Sequence, residues 1–373
     1  MTFLEKALKI QKEIQTLPID EIGFQSLESK TQSSVRISQI IERETLDTES
    51  DLKNRLHQEF KGLGPLTQLF QDEEITEVLL ISKDEIWYEK AGYLHKHSDS
   101  FVGDLTFQNL INRICEEAKL QASVEKPFAD GKFLNFRVHL ITAEVTKSCP
   151  QMTFRRQSAN PWSFAKLLAS GWAPEAAFEI LQTWIHGKKS FLVVGETGSG
   201  KTSVLNSCLQ QLRPNERVVI LEDTAEVHVP NAASTRLLTR ADGHSLLPPI
   251  DLTELVRQSL RMRPDRLVVG EVRGAEAKDL LLALSTGHQG SFGTLHACSA
   301  HQALLRLEML VQLGAPFWSL TTIRRLIFFG VQGLVVVGRD PSGNRKLKSL
   351  HQLCAVEENG ILLEPLFEDR SLV

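Results

Sequence analysis

Apolar and polar residues recur along the chain with two different periods, and the change from one period to the other divides the sequence. Residues 3–17 place apolar side chains at spacings of three and four, which predicts an amphipathic helix. The polar stretch 25–34 predicts a flexible connection, and apolar positions with helical spacing continue as far as Phe60. Residues 1–60 therefore form a predicted helical N-terminal extension.

A mixed α/β pattern follows, beginning near the segment 62–66. Residues 133–141 and 151–156 alternate apolar and polar side chains with a period of two, which predicts strands with one polar face. The turn-rich residues 158–161 close this region, which is predicted as a domain spanning 61–157. Its other predicted elements are a strand, a hairpin and a helix at residues 78–81, 86–93 and 107–118.

Residues 158–373 alternate short apolar strands with helices, and this order is typical of a parallel sheet. Asp251 and Glu254 predict a capping box at the start of one of the helices. The strands are predicted at 191–194, 218–221, 267–269, 293–295 and 333–337. The helices are predicted at 203–212, 252–262, 275–284 and 300–313. The predicted fold class is α/β, with a second domain at 158–373.

A phosphate-binding loop directly follows the first of these strands. Residues 195–202 match the pattern G-x-x-x-x-G-K-S/T at every required position. In such a loop backbone N–H groups converge on the β-phosphate, the lysine reaches the β- and γ-phosphate oxygens, and the Ser/Thr hydroxyl ligates Mg²⁺. The pattern predicts binding of a nucleotide, with Mg²⁺ as the cofactor. The expected nucleotide-binding residues of the loop are Gly195, Thr197, Gly198, Ser199, Gly200, Lys201, Thr202 and Ser203.

Hydrolysis also requires a carboxylate that orients water. Two acidic segments follow apolar strands, at the end of a parallel strand where ligands bind. The segment 222–226 carries three carboxylates, and the Walker-B-like segment 270–273 carries Glu271 but has Gly270 where many P-loop enzymes keep an aspartate. Glu226 and Glu271 are therefore the candidate catalytic carboxylates.

Two histidines, His288 and His296, lie in a glycine-rich segment after the Walker-B-like strand and its helix. This position favours a contact with the γ-phosphate. The neighbouring thiol of Cys298 adds only an untypical set of zinc ligands, so a zinc site is not indicated.

Composition narrows the class of protein. The net charge of −4 argues against broad binding of nucleic acid. Five widely spaced cysteines indicate neither a disulfide framework nor a Cys₄ zinc site, which suits a reducing cytoplasm. The longest apolar tract, 326–338, is too short to span a bilayer, and the charged N-terminus is no signal peptide. A protein without transmembrane segments is expected.

Taken in order, the phosphate-binding loop, the acidic box 222–226, the box 270–273 and the histidine box 286–297 resemble the secretion ATPase superfamily. Its members power type II and type IV secretion and type IV pilus machines. The resemblance covers about residues 60–330. Residues 62–66 and 255–266, together with the helical extension, resemble in particular the branch that assembles tight-adherence (Tad) pili.

The resemblance implies a PAS-like N-terminal domain and a RecA-like motor domain, with nucleotide between them, in a ring-shaped homo-hexamer. It further implies a cytoplasmic enzyme held peripherally at the inner membrane by platform proteins. Lys201 and Thr202 would hold phosphate and Mg²⁺, Glu226 or Glu271 would polarise the attacking water, and His296 would sense the γ-phosphate. Glu222, with Thr202 and Glu271, completes the implied set of Mg²⁺ ligands.

Arginines are implied as well, and here the sequence departs from the family pattern. Arg236 and Arg240 match a family segment whose arginines approach nucleotide. After Asp130-Gly131 the pattern expects an arginine within two residues, but the chain has Lys132-Phe133. Arg137 and Arg155, on the polar faces of the two predicted strands, are the candidates to replace it.

These observations favour a hexameric motor ATPase of a pilus or secretion machine. A RecA-type nucleic-acid translocase is the alternative from another class, although the charge and the histidine box argue against it. A nucleotide-gated assembly protein with little turnover is the third reading, prompted by the altered arginine region. Measured turnover, and its stimulation by DNA or by a membrane partner, distinguish the three.

Overall fold

The computed structural model describes residues 2–16, 27–46, 48–157, 162–240 and 248–371, without side-chain detail for 27–34. The chain divides into two compact units, Met1–Ser158 and Ala159–Val373. The first unit contains the helices α1 Phe3–Gln15, α2 Leu27–Glu44, α3 Ser50–Lys61, α4 Leu66–Gln71, α5 Asp104–Glu117 and α6 Ala143–Thr146. Its strands are β1 Ile75–Leu80, β2 Ile86–Lys90, β3 Tyr93–Lys96, β4 Phe128–Phe133, β5 Phe136–Ile141 and β6 Gln151–Arg156.

Helices α1, α2 and α3 bury a small apolar core of their own. Thr2 and Glu5 form a capping box at the start of α1, so the first helix predicted from the sequence is confirmed. The prediction of a flexible connection at 25–34 is wrong from Leu27 onward, because α2 begins there. The segment is polar but contains neither glycine nor proline, so nothing in it interrupts a helix. The buried residues of this core are Ala7, Ile10, Ile40, Ile41 and Leu56.

The six strands β1–β6 of the first unit form one antiparallel sheet with the order β3-β2-β1-β6-β5-β4. The prediction of a single strand at 133–141 is wrong, since Phe133 and Phe136 close a hairpin between β4 and β5. Leu134 lies in its turn with φ of 53°, which removes that residue from the apolar face. The predicted strand at 151–156 and the predicted hairpin at 86–93 are confirmed.

The second unit contains an eight-stranded sheet with the order β14-β13-β12-β7-β11-β10-β8-β9. Neighbours from β12 to β9 are parallel, whereas β13 and β14 add an antiparallel edge. The strands are β7 Phe191–Gly195, β8 Val218–Glu222, β9 Thr235–Leu238, β10 Arg266–Val272, β11 Phe292–His296, β12 Gly333–Arg339, β13 Arg345–Glu357 and β14 Gly360–Glu368. The helices are α7 Phe164–Ala169, α8 Glu175–His186, α9 Lys201–Leu209, α10 Leu252–Ser259, α11 Glu276–Ser285, α12 Ala300–Gly314 and α13 Leu320–Gly330.

The predicted parallel sheet is confirmed in its five strands. Residues of β7 and β8 are buried throughout, because apolar clusters pack on both faces of the sheet. The sequence reading missed α7, α8, α13, β9 and the antiparallel strands β13 and β14. Asp251 accepts the N–H of Glu254 and begins α10 as an N-cap.

Two predictions from the sequence, the domain boundary at residue 60 and the turn at 158–161, are not tested by the structure. The division at residue 60 into an extension and a PAS-like domain stays a prediction, although the separate core of α1–α3 is consistent with it. The turn predicted at 158–161 lies outside the described residues. Within the described part of the chain, no helix is both long and apolar enough to cross a membrane.

Candidate active site

The phosphate-binding loop joins β7, at the centre of the parallel sheet, to α9. Gly198 and Gly200 have φ values of 73° and 93°, a left-handed conformation that glycine adopts without a steric penalty. A side chain on Gly195 would also collide with the neighbouring strand, since its Cβ would lie 2.6 Å from the Val337 carbonyl oxygen. The three glycines of the motif are thus required by backbone geometry.

Lys201, Thr202 and Ser203 form the first turn of α9, and the positive end of the helix dipole at this N-terminus favours an anion. Lys201 Nζ donates to the carbonyl oxygens of Gly195 and Glu196 at 2.9 and 2.8 Å. The ammonium group therefore lies across the loop whose N–H groups bind phosphate in proteins of this type.

The acidic loop that follows β8 is anchored at its backbone. Glu222 Oε1 accepts the N–H groups of Glu226 and Val227 at 2.9 and 2.8 Å. Asn206, a buried residue of α9, accepts the N–H of His228 at 2.7 Å and donates to the Glu226 carbonyl at 3.5 Å. Glu226 is therefore held from both sides, and Asn206 ties it to the helix that begins at Lys201.

Glu222, an expected Mg²⁺ ligand, has protein partners for both of its carboxylate oxygens. One carboxylate oxygen serves the acidic loop, and the other lies 2.9 Å from Arg236 Nε in an ion pair that is too bent for a hydrogen bond. Burial raises the pKa of Glu222, against the two backbone hydrogen bonds and the charge of Arg236, which lower it. Glu222 therefore anchors the acidic loop in this structure, and its expected role as a Mg²⁺ ligand stays a prediction.

Glu271 lies in an irregularity of β10. The register with β11 shifts between Val269 and Val272, which is the signature of a bulge, and bulges redirect side chains beside active sites. Thr294 donates to the Gly270 carbonyl at 2.6 Å and holds the bulge. A Cβ on Gly270 would lie 2.9 Å from Glu222 Cγ, so the side chain of Glu222 occupies the space that an aspartate at position 270 would need.

The charges around Glu271 show which groups the fold brings together. Burial raises the pKa of Glu271, but the hydrogen bond and charge of Arg273 and the charges of Lys201 and His296 outweigh it, so the net shift is downward. Arg273 Nη2 donates to Glu271 Oε2 at 2.7 Å, and its Nη1 lies 3.5 Å from Asp223. Glu271 is thus an ionised carboxylate at neutral pH, beside the lysine of the phosphate-binding loop.

The two histidines of the glycine-rich box lie at opposite ends of strand β11. His296 is paired with Gly195 across β11 and β7, which places it next to the phosphate-binding loop. His288 precedes β11 and contacts the Ala283 carbonyl oxygen at 3.3 Å through Nδ1. A five-residue strand spans about 17 Å, so only His296 lies at the edge of the sheet that carries the loop.

The arginines expected at nucleotide have protein partners. Arg236 donates to the Val227 carbonyl oxygen besides pairing with Glu222. Arg240 donates from Nε and Nη2 to the Pro248 carbonyl oxygen at 3.0 and 2.7 Å. Arg236 therefore braces the backbone of the acidic loop, and Arg240 braces the backbone at Pro248.

In the first unit Arg137 and Arg155 are direct neighbours across β5 and β6, and Lys132 pairs with Arg137 across β4 and β5. The altered Lys132 thus lies in one row with the two arginines. Arg137 Nη2 lies 3.8 Å from Asp130 Oδ1, and Arg155 Nε lies 3.9 Å from Glu77 Oε1. The predicted placement of both arginines on polar strand faces is confirmed, whereas a nucleotide contact stays a prediction.

The donor set at the loop fits Mg²⁺. Thr202 offers a hydroxyl and Glu271 an ionised carboxylate, and hard oxygen ligands of this kind suit a cation that keeps several waters. Among the described residues no three His, Cys, Asp or Glu side chains form a metal cluster. An ion held through nucleotide phosphates and one or two protein oxygens agrees with both observations.

The model of the family described as "Type II/IV secretion system protein" matches residues 59–327. The chain belongs to this family. A Mycobacterium tuberculosis protein named for conjugal transfer is 32% identical over 309 residues, covering 81% of this chain and 87% of the relative. The fold is similar to those of the Legionella pneumophila ATPase DotB (TM-score 0.55, 20% identity, 79% of this chain and 80% of that one) and the pilus retraction motor PilT (TM-score 0.54, 20% identity, 80% of each chain).

The resemblance to the secretion ATPase superfamily is confirmed, and with it the two-domain α/β architecture. The family and the intact phosphate-binding loop make the chain a P-loop ATPase. The sequence reading assigned no role to Asn206 or Arg273, although Arg273 stands within one of the quoted boxes. Only the folded chain reveals that Asn206 reaches the acidic loop and that Arg273 reaches Glu271.

Proposed function

We propose that this protein is a hexameric motor ATPase that drives assembly of a type IV pilus of the tight-adherence class, or secretion, at the bacterial inner membrane. The observation that carries the proposal is that Glu271 and His296, at the C-terminal ends of the neighbouring strands β10 and β11, lie on the same side of the sheet as the phosphate-binding loop that carries Lys201. Three different strand-to-loop junctions supply these groups. The family and a fold shared with a pilus retraction motor support the choice of machine.

In the proposed reaction Lys201 leaves the loop carbonyls and binds the β- and γ-phosphates of ATP. Thr202 and Glu271 would hold Mg²⁺, which would supply positive charge to neutralise the phosphate oxygens. Glu226 or Glu271 orients the attacking water, and His296 senses the γ-phosphate. The anchoring of Glu226 at its backbone supports its role, because a water-orienting carboxylate must be held in place before the reaction.

Arg236 and Arg240 are proposed to stabilise the transition-state charge, in the same subunit or across a subunit interface. Their present partners are one ion pair and backbone carbonyl oxygens. Arg137 and Arg155 are proposed as further phosphate contacts of the first unit. The row that they form with Lys132 supports this, because three cationic side chains placed side by side attract an anion in addition to the carboxylates of Asp130 and Glu77.

The protein is proposed to act in the cytoplasm, peripherally at the inner membrane, through platform proteins of the machine. Three measurements test the function together: ATP turnover, its response to DNA, and electron micrographs of negatively stained protein with and without nucleotide. We expect turnover without DNA stimulation and six-fold rings. Turnover that depends on DNA would replace the motor with a nucleic-acid translocase, and ATP binding without turnover would replace it with a nucleotide-gated assembly protein.

Mixing of subunits tests the interface. If Arg240 acts across it, combining Arg240→Ala subunits with Lys201→Ala subunits restores part of the activity, since a mixed interface contains one complete site. Inactivity at every mixing ratio, in rings confirmed to contain both variants, would place Arg240 in its own subunit's site.

A further inference from the structure

The hairpin between β12 and β13 lies against the outer side of the phosphate-binding loop. β12 runs parallel to β7, with Val336 opposite Val194, so Arg339 lies beyond the end of β7 where the loop begins. The turn is closed by the Asp340 N–H, which donates to the Asn344 carbonyl at 2.8 Å. Asp340 in turn accepts the Asn344 N–H at 2.8 Å. The hairpin is therefore an ordered support.

Two arginines of this hairpin converge on one carbonyl oxygen of the loop. Arg339 Nη2 and Arg345 Nε donate to the Gly198 carbonyl at 3.1 and 3.2 Å. Arg339 also donates from Nη1 to the Gly343 carbonyl at 3.0 Å, so its guanidinium bridges the turn and the loop. A carbonyl oxygen has two lone pairs, and the two guanidinium donors account for both.

The packing is close as well as charged. A Cβ built on Gly198 would lie 3.2 Å from Arg339 Nη2, and one on Gly200 would lie 3.0 Å from Arg345 Cδ. These are the two loop residues with left-handed backbone. The arginines therefore pack against the two loop residues whose backbone conformation strongly favours glycine.

The Gly198 carbonyl and the Ser199 N–H belong to the same peptide group. Cations that bind a carbonyl oxygen polarise the peptide and strengthen its N–H as a donor, and hydrogen bonds to charged groups are stronger than neutral ones. In the structure the Ser199 N–H donates to the Glu196 carbonyl oxygen at 3.3 Å. This is a long contact that a phosphate oxygen would replace, since N–H groups of such loops receive phosphate. Two guanidinium groups on the outer side of the loop would thus act on the phosphate side through one peptide.

We propose that Arg339 and Arg345 are positioning residues that hold and polarise the Gly198–Ser199 peptide for binding of nucleotide phosphates. The inference rests on the nucleotide-binding role of the loop. Because Glu226, Glu271 and His296 belong to other strands and loops, the arginines should govern the affinity for nucleotide and leave the chemical step largely unchanged.

The test uses the full-length protein and the variants Arg339→Ala, Arg345→Ala and the double substitution, with fluorescent ADP binding, KM for ATP and kcat as readouts. We expect each single variant to weaken ADP binding and raise KM by about three- to tenfold, the scale of one ordinary hydrogen bond, because each arginine acts on the phosphates through the peptide and does not touch them. The double variant should lose more than the product of the two, because either arginine alone still satisfies the carbonyl. The value of kcat should stay within about threefold.

Lys346→Ala is the matched control, since Lys346 is on the same strand but donates to the Gly171 carbonyl away from the loop. Arg339→Lys keeps the charge but cannot bridge Gly198 and Gly343, and we expect it to recover only part of the affinity. Full recovery by lysine would reduce the effect to charge alone.

Three results would overturn the proposal: a double variant with KM within twofold of wild type, losses equal to those of Lys346→Ala, or a lower kcat with unchanged KM. The last would indicate a smaller folded fraction, which the thermal midpoint would reveal. If the wild-type protein binds no nucleotide, the proposed function fails instead, so the two failures are distinguishable.

Discussion

The parallel sheet of the second unit and the antiparallel sheet of the first place their charged side chains differently. In the parallel sheet both faces are covered by apolar clusters, so Lys201, Glu271 and His296 come together at the C-terminal ends of the strands. In the antiparallel sheet one face is polar, and Lys132, Arg137 and Arg155 stand side by side on it through strand register.

The two groups of charged side chains are held in place by different kinds of contact. The charged residues at the strand ends are held by hydrogen bonds from several elements. Glu222 of β8 and Asn206 of α9, for example, both bind the backbone of Glu226. The arginines of the row on the sheet face form long ion pairs of 3.8 and 3.9 Å with Asp130 and Glu77. We therefore expect changes at the edge to abolish chemistry and changes on the face to alter affinity.

The largest effect is expected for Lys201→Ala. The variant loses a point charge at the β- and γ-phosphates, whereas the glycines that shape the loop stay in place, so turnover should vanish and nucleotide affinity should fall. ATP turnover, nucleotide titration and the thermal midpoint measure this. Turnover at the wild-type rate would contradict the assignment of the edge as the active site.

Glu271→Gln and Glu226→Gln come next and separate the two carboxylates. Loss of the water-orienting group should lower kcat by about 10²-fold or more while ATP binding remains. Single-turnover kinetics and ATP titration of each variant, compared with the double variant, provide the measurement. If the double variant loses less activity than the two single losses combined, the two carboxylates act as a unit. Normal rates in both single variants would mean that neither carboxylate is catalytic.

Arg273→Ala should shift the pH dependence of turnover. Arg273 helps to lower the pKa of Glu271, so its removal raises that pKa and Glu271 becomes protonated at a higher pH. The acid limb of the kcat profile should move to higher pH, with a smaller loss at neutral pH than for Glu271→Gln. An unmoved acid limb would show that ionisation of Glu271 does not control the rate.

The smallest effect is expected for Arg155→Ala, which tests the sheet face. If the cation row binds nucleotide, the variant should weaken ATP binding by about three- to tenfold and ADP binding less, since the γ-phosphate adds the charge that a guanidinium binds. Titration with a non-hydrolysable ATP analogue and with ADP measures the difference. Lys96→Ala, on the far edge strand of the same sheet, is the control, and equal affinities of the Arg155 variant and wild type would leave the row without a nucleotide role.

Much of the fold followed from local pattern. The five parallel strands and the phosphate-binding loop were predictable, because period and motif concern residues that are neighbours in sequence. The hairpin at Leu134 was not, since its left-handed turn interrupts an alternation that continues on either side. The C-terminal strands β13 and β14 were missed although they complete the sheet.

Within the site, the sequence alone determined the chemistry of the phosphate-binding loop, because one run of eight residues contains every group that the motif needs. Tertiary structure decided the partners of those groups. In the folded chain Glu222 supports the acidic loop, and His296 lies beside Gly195. His288 lies at the opposite end of β11. Tertiary structure also brought Arg339 and Arg345 to the Gly198 carbonyl from 141 and 147 residues away. Such contacts depend on strand order and register, and these are set by the packing of the whole sheet rather than by any local stretch of the chain.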